Sequence, residues 1–230
     1  MIRRSVNELN KIGINISVSN KVRKELNKYE NYRPKDEFVL YNGVDRNKFY
    51  EIAVDKVSEN YQIGCIANFW PIKDQITLIK AVELLVKEGI QDIELQLIGE
   101  GKTLNECQNY VLENNLSPFI SFHCQRSHES LNHFYNNINL FVLPSYYEAL
   151  GCVLLEAWAT NTVILSAKDQ GISELLPKEE RSNLLFDVRS PISLKEKIYI
   201  EYSNRRSFPF NQEYDIDNLI KKFLDYSFFK

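Results

Sequence analysis

Along the chain, short apolar runs rich in β-branched residues alternate with longer stretches in which apolar positions recur every three or four residues. The short runs predict strands at about 14–18, 37–41, 62–67, 92–98, 119–123, 139–143, 162–166 and 183–186. Helices are predicted between them, at about 19–29, 74–88, 102–114, 128–136, 151–160, 172–176, 192–203 and 215–226. Regular alternation of this kind implies an α/β fold, a Rossmann-like doubly wound parallel sheet with helices on both faces.

The rhythm breaks at 42–61 (NGVDRNKFYEIAVDKVSENY), which is polar, turn-rich and without a clear period, and this stretch reads as a linker. Residues 62–210 then form a complete doubly wound unit, and 211–230 a C-terminal helix. Upstream, 1–41 offers two strands and a helix or two, too little surface burial for an independent domain. It reads as the remnant of a domain whose beginning is absent.

Composition narrows the field without naming a function. The 230 residues are 44% hydrophobic and 26% charged, with a formal charge of -3, which excludes a general nucleic-acid binder with a strongly basic face. Cys65, Cys107, Cys124 and Cys152 form no C-x-x-C pair and mostly lie in apolar patterns, so they read as buried thiols in a reducing compartment. No secretory signal and no apolar run approaching about 20 residues is found, so a cytoplasmic location is expected. The aromatic, mildly basic end, with Phe223, Tyr226, Phe228, Phe229 and Lys230, leaves peripheral membrane contact open.

Most local motifs have ordinary explanations. LIGEGKT (97–103) imitates a phosphate-binding loop, but the first glycine would fall at Gln96. Asp215-Ile216-Asp217 imitates a metal-binding D-x-D, yet it opens an amphipathic helix where aspartates cap free N–H groups. His128 and His133 are five apart, on different helix faces, and no metal site is expected.

YYEALGCVLLEAW (146–158) is different. The strand FVLPS (141–145) runs into a short loop and then a helix starting near Gly151, which aims backbone N–H groups and a helix's positive end above the sheet's carboxyl edge. Such a corner suits a pyrophosphate. The carboxylates of Glu148 and Glu156 would then accept hydrogen bonds from hydroxyl groups of an attached ribose and sugar. A solvated loop position for Glu148 and an exposed helix position for Glu156 are the competing readings. A helix apolar nearly all round is usually buried, which favours a cleft-facing Glu156.

E-A-L-G-C-V-L-L-E, from Glu148 to Glu156, resembles the E-x7-E signature of the retaining, GT-B-fold glycosyltransferases of family four. The resemblance extends in order and spacing to SVSNKVRKEL (17–26), YNGVD (41–45), ANFWPIKDQITLIKAV (67–82), LIGEG (97–101), ISFHC (120–124), LFVLPS (140–145) and GISEL (171–175). It implies the C-terminal, donor-binding half of a GT-B fold. It further implies transfer of a sugar from a nucleoside diphosphate sugar to an acceptor hydroxyl with retention, without a bound metal or other cofactor.

By this resemblance Glu148 contacts the donor sugar and Glu156 the ribose, while backbone N–H groups of Ala149, Leu150 and Gly151 approach the pyrophosphate. Lys73 neutralises the leaving diphosphate, with Glu148 and Lys73 as the catalytic pair. Asn68, Gly99 and Arg126 are assigned to the donor site on the same footing. The family's G-R pair is here Ala67-Asn68, so half of a cationic clamp is missing unless Arg126 substitutes. The alternatives left open are a non-catalytic nucleotide-sugar-binding remnant, a subunit of a split enzyme whose separate partner supplies the acceptor domain, and another enzyme of the same fold such as a nucleotide-sugar epimerase.

Overall fold

The computed structural model describes residues 2–54, 58–124 and 128–225. The N-terminal portion comprises α1 (Ile2–Leu9), β1 (Asn15–Ser17), α2 (Asn20–Asn27) and β2 (Glu37–Val39). β1 and β2 pair in parallel as a separate two-stranded sheet, with Ile16 opposite Phe38. Ser19 starts α2 as its N-cap, accepting a hydrogen bond from the Val22 N–H at 3.2 Å. Helix α1 was not among the expected elements.

The main sheet holds β3 (Tyr61–Ile66), β4 (Ile93–Ile98), β5 (Ile120–His123), β6 (Leu140–Leu143), β7 (Val163–Ala167) and β8 (Leu185–Phe186), all parallel. Their spatial order is β5-β4-β3-β6-β7-β8. The chain therefore starts in the middle at β3, winds outward to β5, then returns past β3 to wind the other way from β6. The central strands are buried on both faces, as helices on either side require: every residue of β6 and β7 is buried.

Between the strands run α3 (Gln75–Lys87), α4 (Leu104–Glu113), α5 (His128–Asn137), α6 (Cys152–Ala159), α7 (Arg181–Leu184) and α8 (Pro191–Asn204), and α9 (Ile216–Leu224) follows. Helix α3 buries Leu78, Ile79, Val82 and Leu85 and packs against α8. Helix α8 opens with a Ser190 cap followed by proline, whose missing N–H costs nothing in a first turn. At its end the buried Glu201 takes two 2.9 Å bonds from Arg206, which also reaches Glu180 at 2.9 Å. Behind α6, the Trp158 ring stacks on Phe208 with centroids 4.9 Å apart, and its indole N–H donates to the Pro209 carbonyl at 2.9 Å. These contacts fix the helix that carries Glu156.

Several expectations need correction. The region 42–61 lacks a period but is not a bare linker: Val44 and Phe49 are buried in the core, Val44 bridges Asp215, and Tyr61 already belongs to β3. A chain crossing a domain's surface buries single residues without any repeat to betray them. The helix expected at 172–176 is a 3-10 turn, Gly171–Glu174, and the strand expected at 183–186 is cut to two residues by α7. The cysteines divide, with Cys65 and Cys107 buried but Cys124 and Cys152 exposed. Asp215 caps α9, its side chain accepting from the Asp217 N–H at 3.0 Å.

Candidate functional site

Between β3 and β6 the winding direction reverses, so the loops leaving their carboxyl ends part in opposite directions and open a crevice. A cavity of about 470 Å³ lies there, with Ile66, Ile98 and Leu143 from the strand ends at its floor. Its rim carries Asn68 and Lys73 from the loop after β3, Gly99 from the loop after β4, and Glu148, Ala149, Leu150 and Gly151 from the loop after β6. Glu156 enters from α6, and Val18 and Asn42 from the N-terminal portion. Every site residue expected from sequence thus lines one cavity, except Arg126, which lies outside the described residues.

The loop after β3 turns through the 3-10 stretch Pro71–Lys73 into Asp74, which adopts a left-handed φ of 52°. This brings the Lys73 ammonium to 2.6 Å from Glu148 Oε2, a contact between residues 75 apart in sequence. Neither side chain is more than about a quarter exposed, at 26% and 17%. The same two loops are tied by their backbones, the Tyr146 N–H donating to the Ile72 carbonyl at 3.1 Å.

Glycine is required where Gly99 sits. A Cβ there would lie 2.2 Å from the Ala67 carbonyl oxygen, and its φ of 144° is one that side chains disfavour. The turns after β3 and β4 consequently press backbone to backbone beneath the cavity.

The loop after β6 is held from beneath by the segment following β7. The buried Gln170 accepts from the Glu148 N–H at 2.7 Å and donates to the Lys168 carbonyl at 2.9 Å. The Gly171 N–H donates to the Glu148 carbonyl at 3.2 Å. A Cβ at Gly171 would fall 1.9 Å from the Ala149 carbonyl oxygen, so this packing tolerates nothing larger. From the other side, the Ser19 hydroxyl donates to that same Ala149 carbonyl at 2.6 Å. Glu174 completes the arrangement: its carboxylate accepts the backbone N–H groups of Asn20 at 2.9 Å and Lys21 at 2.7 Å, and the Tyr41 hydroxyl at 3.0 Å. An anion at the start of α2 suits that helix's positive end.

Gly151 is the N-cap of α6, with φ of 89°, and Cys152 and Val153 of the first turn line the crevice beside it, at the helix's positive end. Helix side chains tilt toward the N-terminus, which directs Glu156 back along α6 to the cavity. Its Oε2 accepts a 2.8 Å hydrogen bond from the hydroxyl of Tyr135, a fully buried residue of α5. Burial and the neighbouring Glu156 charge push that hydroxyl well above its usual range, so it stays protonated and donates. Cys152, the first residue of α6, also lines the cavity, and Asn42 Nδ2 approaches its sulfur at 3.2 Å.

The described lining therefore combines one ammonium, two carboxylates, a helix N-terminus and an apolar floor. Those parts suit a ligand with an anionic centre, hydroxyl groups on both sides of it, and a flat apolar end. Sequence reasoning missed Tyr135, Gln170 and Glu174. Only Glu174 left a signal, as an acid in GISEL for which a free helix start at Ser19-Asn20 was available.

Comparison with known proteins follows from this geometry. An uncharacterized glycosyltransferase of Methanocaldococcus jannaschii is 29% identical over 161 residues, 70% of this chain and 42% of that protein. CapM of Staphylococcus aureus, a capsular polysaccharide biosynthesis glycosyltransferase, is 24% identical over 188 residues, 76% of this chain and 46% of that protein. The chain thus spans less than half the length of these relatives. HepE of Anabaena, solved in complex with UDP and glucose, superposes with a TM-score of 0.83 at 19% identity, over 97% of this chain and 65% of that one. That likeness shows the fold, a Rossmann-like half of a GT-B glycosyltransferase. The family model described as glycosyl transferases group 1 matches residues 47–214, which include both crevice loops and α6, and the chain belongs to that family.

Proposed function

We propose that this chain is the donor-binding half of a retaining glycosyltransferase, holding a nucleoside diphosphate sugar in the crevice between β3 and β6. The observation that carries the reading is the convergence of Lys73, Glu148, Glu156 and the start of α6 on one cavity. The diphosphate would lie against the α6 N-terminus and Lys73, where charge builds up on the leaving group and preorganised positive groups stabilise it most. Glu156 would accept the ribose hydroxyls and Glu148 the hydroxyls of the sugar, with Ala149, Leu150 and Gly151 lending backbone N–H groups. Asn68 and Gly99 would border the nucleoside. Lys73 and the helix start supply the positive charge that a metal provides in other sugar transferases, so we propose metal-independent transfer.

The acceptor would approach over the rim carrying Val18 and Asn42, from a domain lying beyond residues 1–41 or on a separate partner. A role in polysaccharide assembly is proposed because the relative CapM is described as a capsular polysaccharide biosynthesis glycosyltransferase. The second reading, a nucleotide-sugar-binding subunit without transfer activity of its own, is favoured by Asn68 standing where the resembling family has arginine.

Thermal unfolding with UDP-, GDP- and ADP-sugars tests the donor site, since a ligand that binds only the native state raises its apparent stability. One sugar nucleotide should raise the midpoint, and Glu156→Ala should abolish the rise. A rise that persists in the variant would remove Glu156 from the ribose, and no rise with any donor would sink the reading. Transfer assayed with and without a separately supplied acceptor domain then separates the two readings.

A further inference from the structure

Tyr135 is immobilised more thoroughly than packing alone calls for. Its ring meets Phe49, Phe134 and Phe141 edge-on, with centroids 5.9, 5.8 and 5.4 Å away. Its backbone carbonyl accepts the Thr162 hydroxyl at 2.8 Å. A phenylalanine would keep the ring contacts and the carbonyl bond. What the hydroxyl adds is the 2.8 Å bond to Glu156 Oε2 from a fully buried donor. Aromatic residues fixed at two χ angles make rigid donors, and a bond to a charged acceptor is among the stronger hydrogen bonds a side chain forms.

From this geometry we infer that Tyr135 is a positioning residue for the nucleoside end of the donor: it anchors Glu156 so that the carboxylate meets the ribose hydroxyls in one orientation. The inference rests on the donor reading given above. It makes ribose recognition the joint work of two helices, α5 and α6, rather than of Glu156 alone. It also explains a buried phenol one residue removed from the cavity surface. Tyr135 touches no substrate, so its effect should fall on binding and not on the chemical step.

The test uses the 230-residue chain, calorimetric titration, and whichever of UDP, GDP and ADP binds most tightly, together with its 2′,3′-dideoxy form. Wild type should prefer the ribose form. Y135F, which deletes one oxygen from the buried ring, should weaken the ribose form about tenfold and leave the dideoxy form unchanged. In an E156A background, where the hydroxyl has no acceptor left at this position, Y135F should have no further effect on the ribose preference. Introducing 4-aminophenylalanine at position 135 restores a donor and should recover the preference; it also serves where Y135F does not fold. Equal weakening of both nucleotides by Y135F would reduce Tyr135 to a structural residue, and no weakening of either would overturn the inference. Wild type binding both forms equally would instead remove the ribose role of Glu156. Wild type binding no nucleotide would defeat the donor reading, and the inference with it.

Discussion

Replacing Glu148 by glutamine should make the crevice bind a bare nucleoside diphosphate more tightly. Without ligand, Lys73 spends its charge on Glu148 at 2.6 Å. A diphosphate has to take Lys73 from that partner and then sit near a carboxylate of its own sign. A charge-assisted hydrogen bond contributes about 1.5–3 kcal/mol net. The partial exposure of both groups, 26% and 17%, admits some solvent screening and argues for the lower end. E148Q keeps the size of the side chain and removes the competing charge, a gain of about 1.5 kcal/mol or tenfold in Kd. The sugar, however, loses its carboxylate acceptor. Calorimetric titration with a nucleoside diphosphate and the matching sugar nucleotide should show the first binding about tenfold tighter and the advantage of the second shrinking by a similar factor. K73M should weaken both alike. If E148Q weakens the bare diphosphate, Lys73 and Glu148 do not exchange partners and the shared use of the cavity proposed here is wrong.

Two further outcomes follow from the thiols and phenols. An aromatic disulfide reagent should titrate two thiols quickly in the native chain, Cys124 and Cys152, and all four in denaturant; a bound nucleotide sugar should protect Cys152, which lines the cavity, while leaving Cys124 reactive. Stability should fall at alkaline pH. Burial raises Cys65 and Cys107 from 9.0 to about 12, and burial with the Glu174 contact raises Tyr41 from 10.0 to about 12. Each group holds its proton more tightly when folded, so its contribution is intact below the unfolded value and is lost as pH climbs to the folded one. Urea midpoints should therefore be level to about pH 9 and decline from there to 12, and a decline complete below pH 9 would contradict these burial assignments.

The strands and helices of the main sheet were legible because each carries its own period: IGC and FVLP are buried whole, and LIKAVELLV shows one apolar face. The crevice was legible in part, since Gly151 and Glu156 mark a strand–turn–helix corner within a dozen residues. What no local pattern held was the pairing of distant pieces. Lys73 meets Glu148 across 75 positions, and Tyr135 meets Glu156 across 21. In the sequence Tyr135 follows Phe134 in a helix, and nothing there tells that its hydroxyl meets an acid on another helix. Cys152 was misjudged for a related reason, because an apolar helix whose first turn borders a cavity exposes residues its composition would bury. Arg126 lies outside the described residues.

Glu174 and Ser19 have a mechanical consequence. The joint between residues 15–41 and the crevice is made largely of hydrogen bonds: a carboxylate seated on a helix start, a hydroxyl on the Ala149 carbonyl, and the Lys21 ammonium on the Asp169 carbonyl at 2.7 Å. Helix α2 buries no residue of its own. Water can replace such contacts one for one, and the apolar part of the joint is small, with Tyr41 against Tyr214 and Phe38 against Phe223. Because one of its pins is the carbonyl of the very loop proposed to carry the sugar, any displacement of the N-terminal portion would pull directly on that loop.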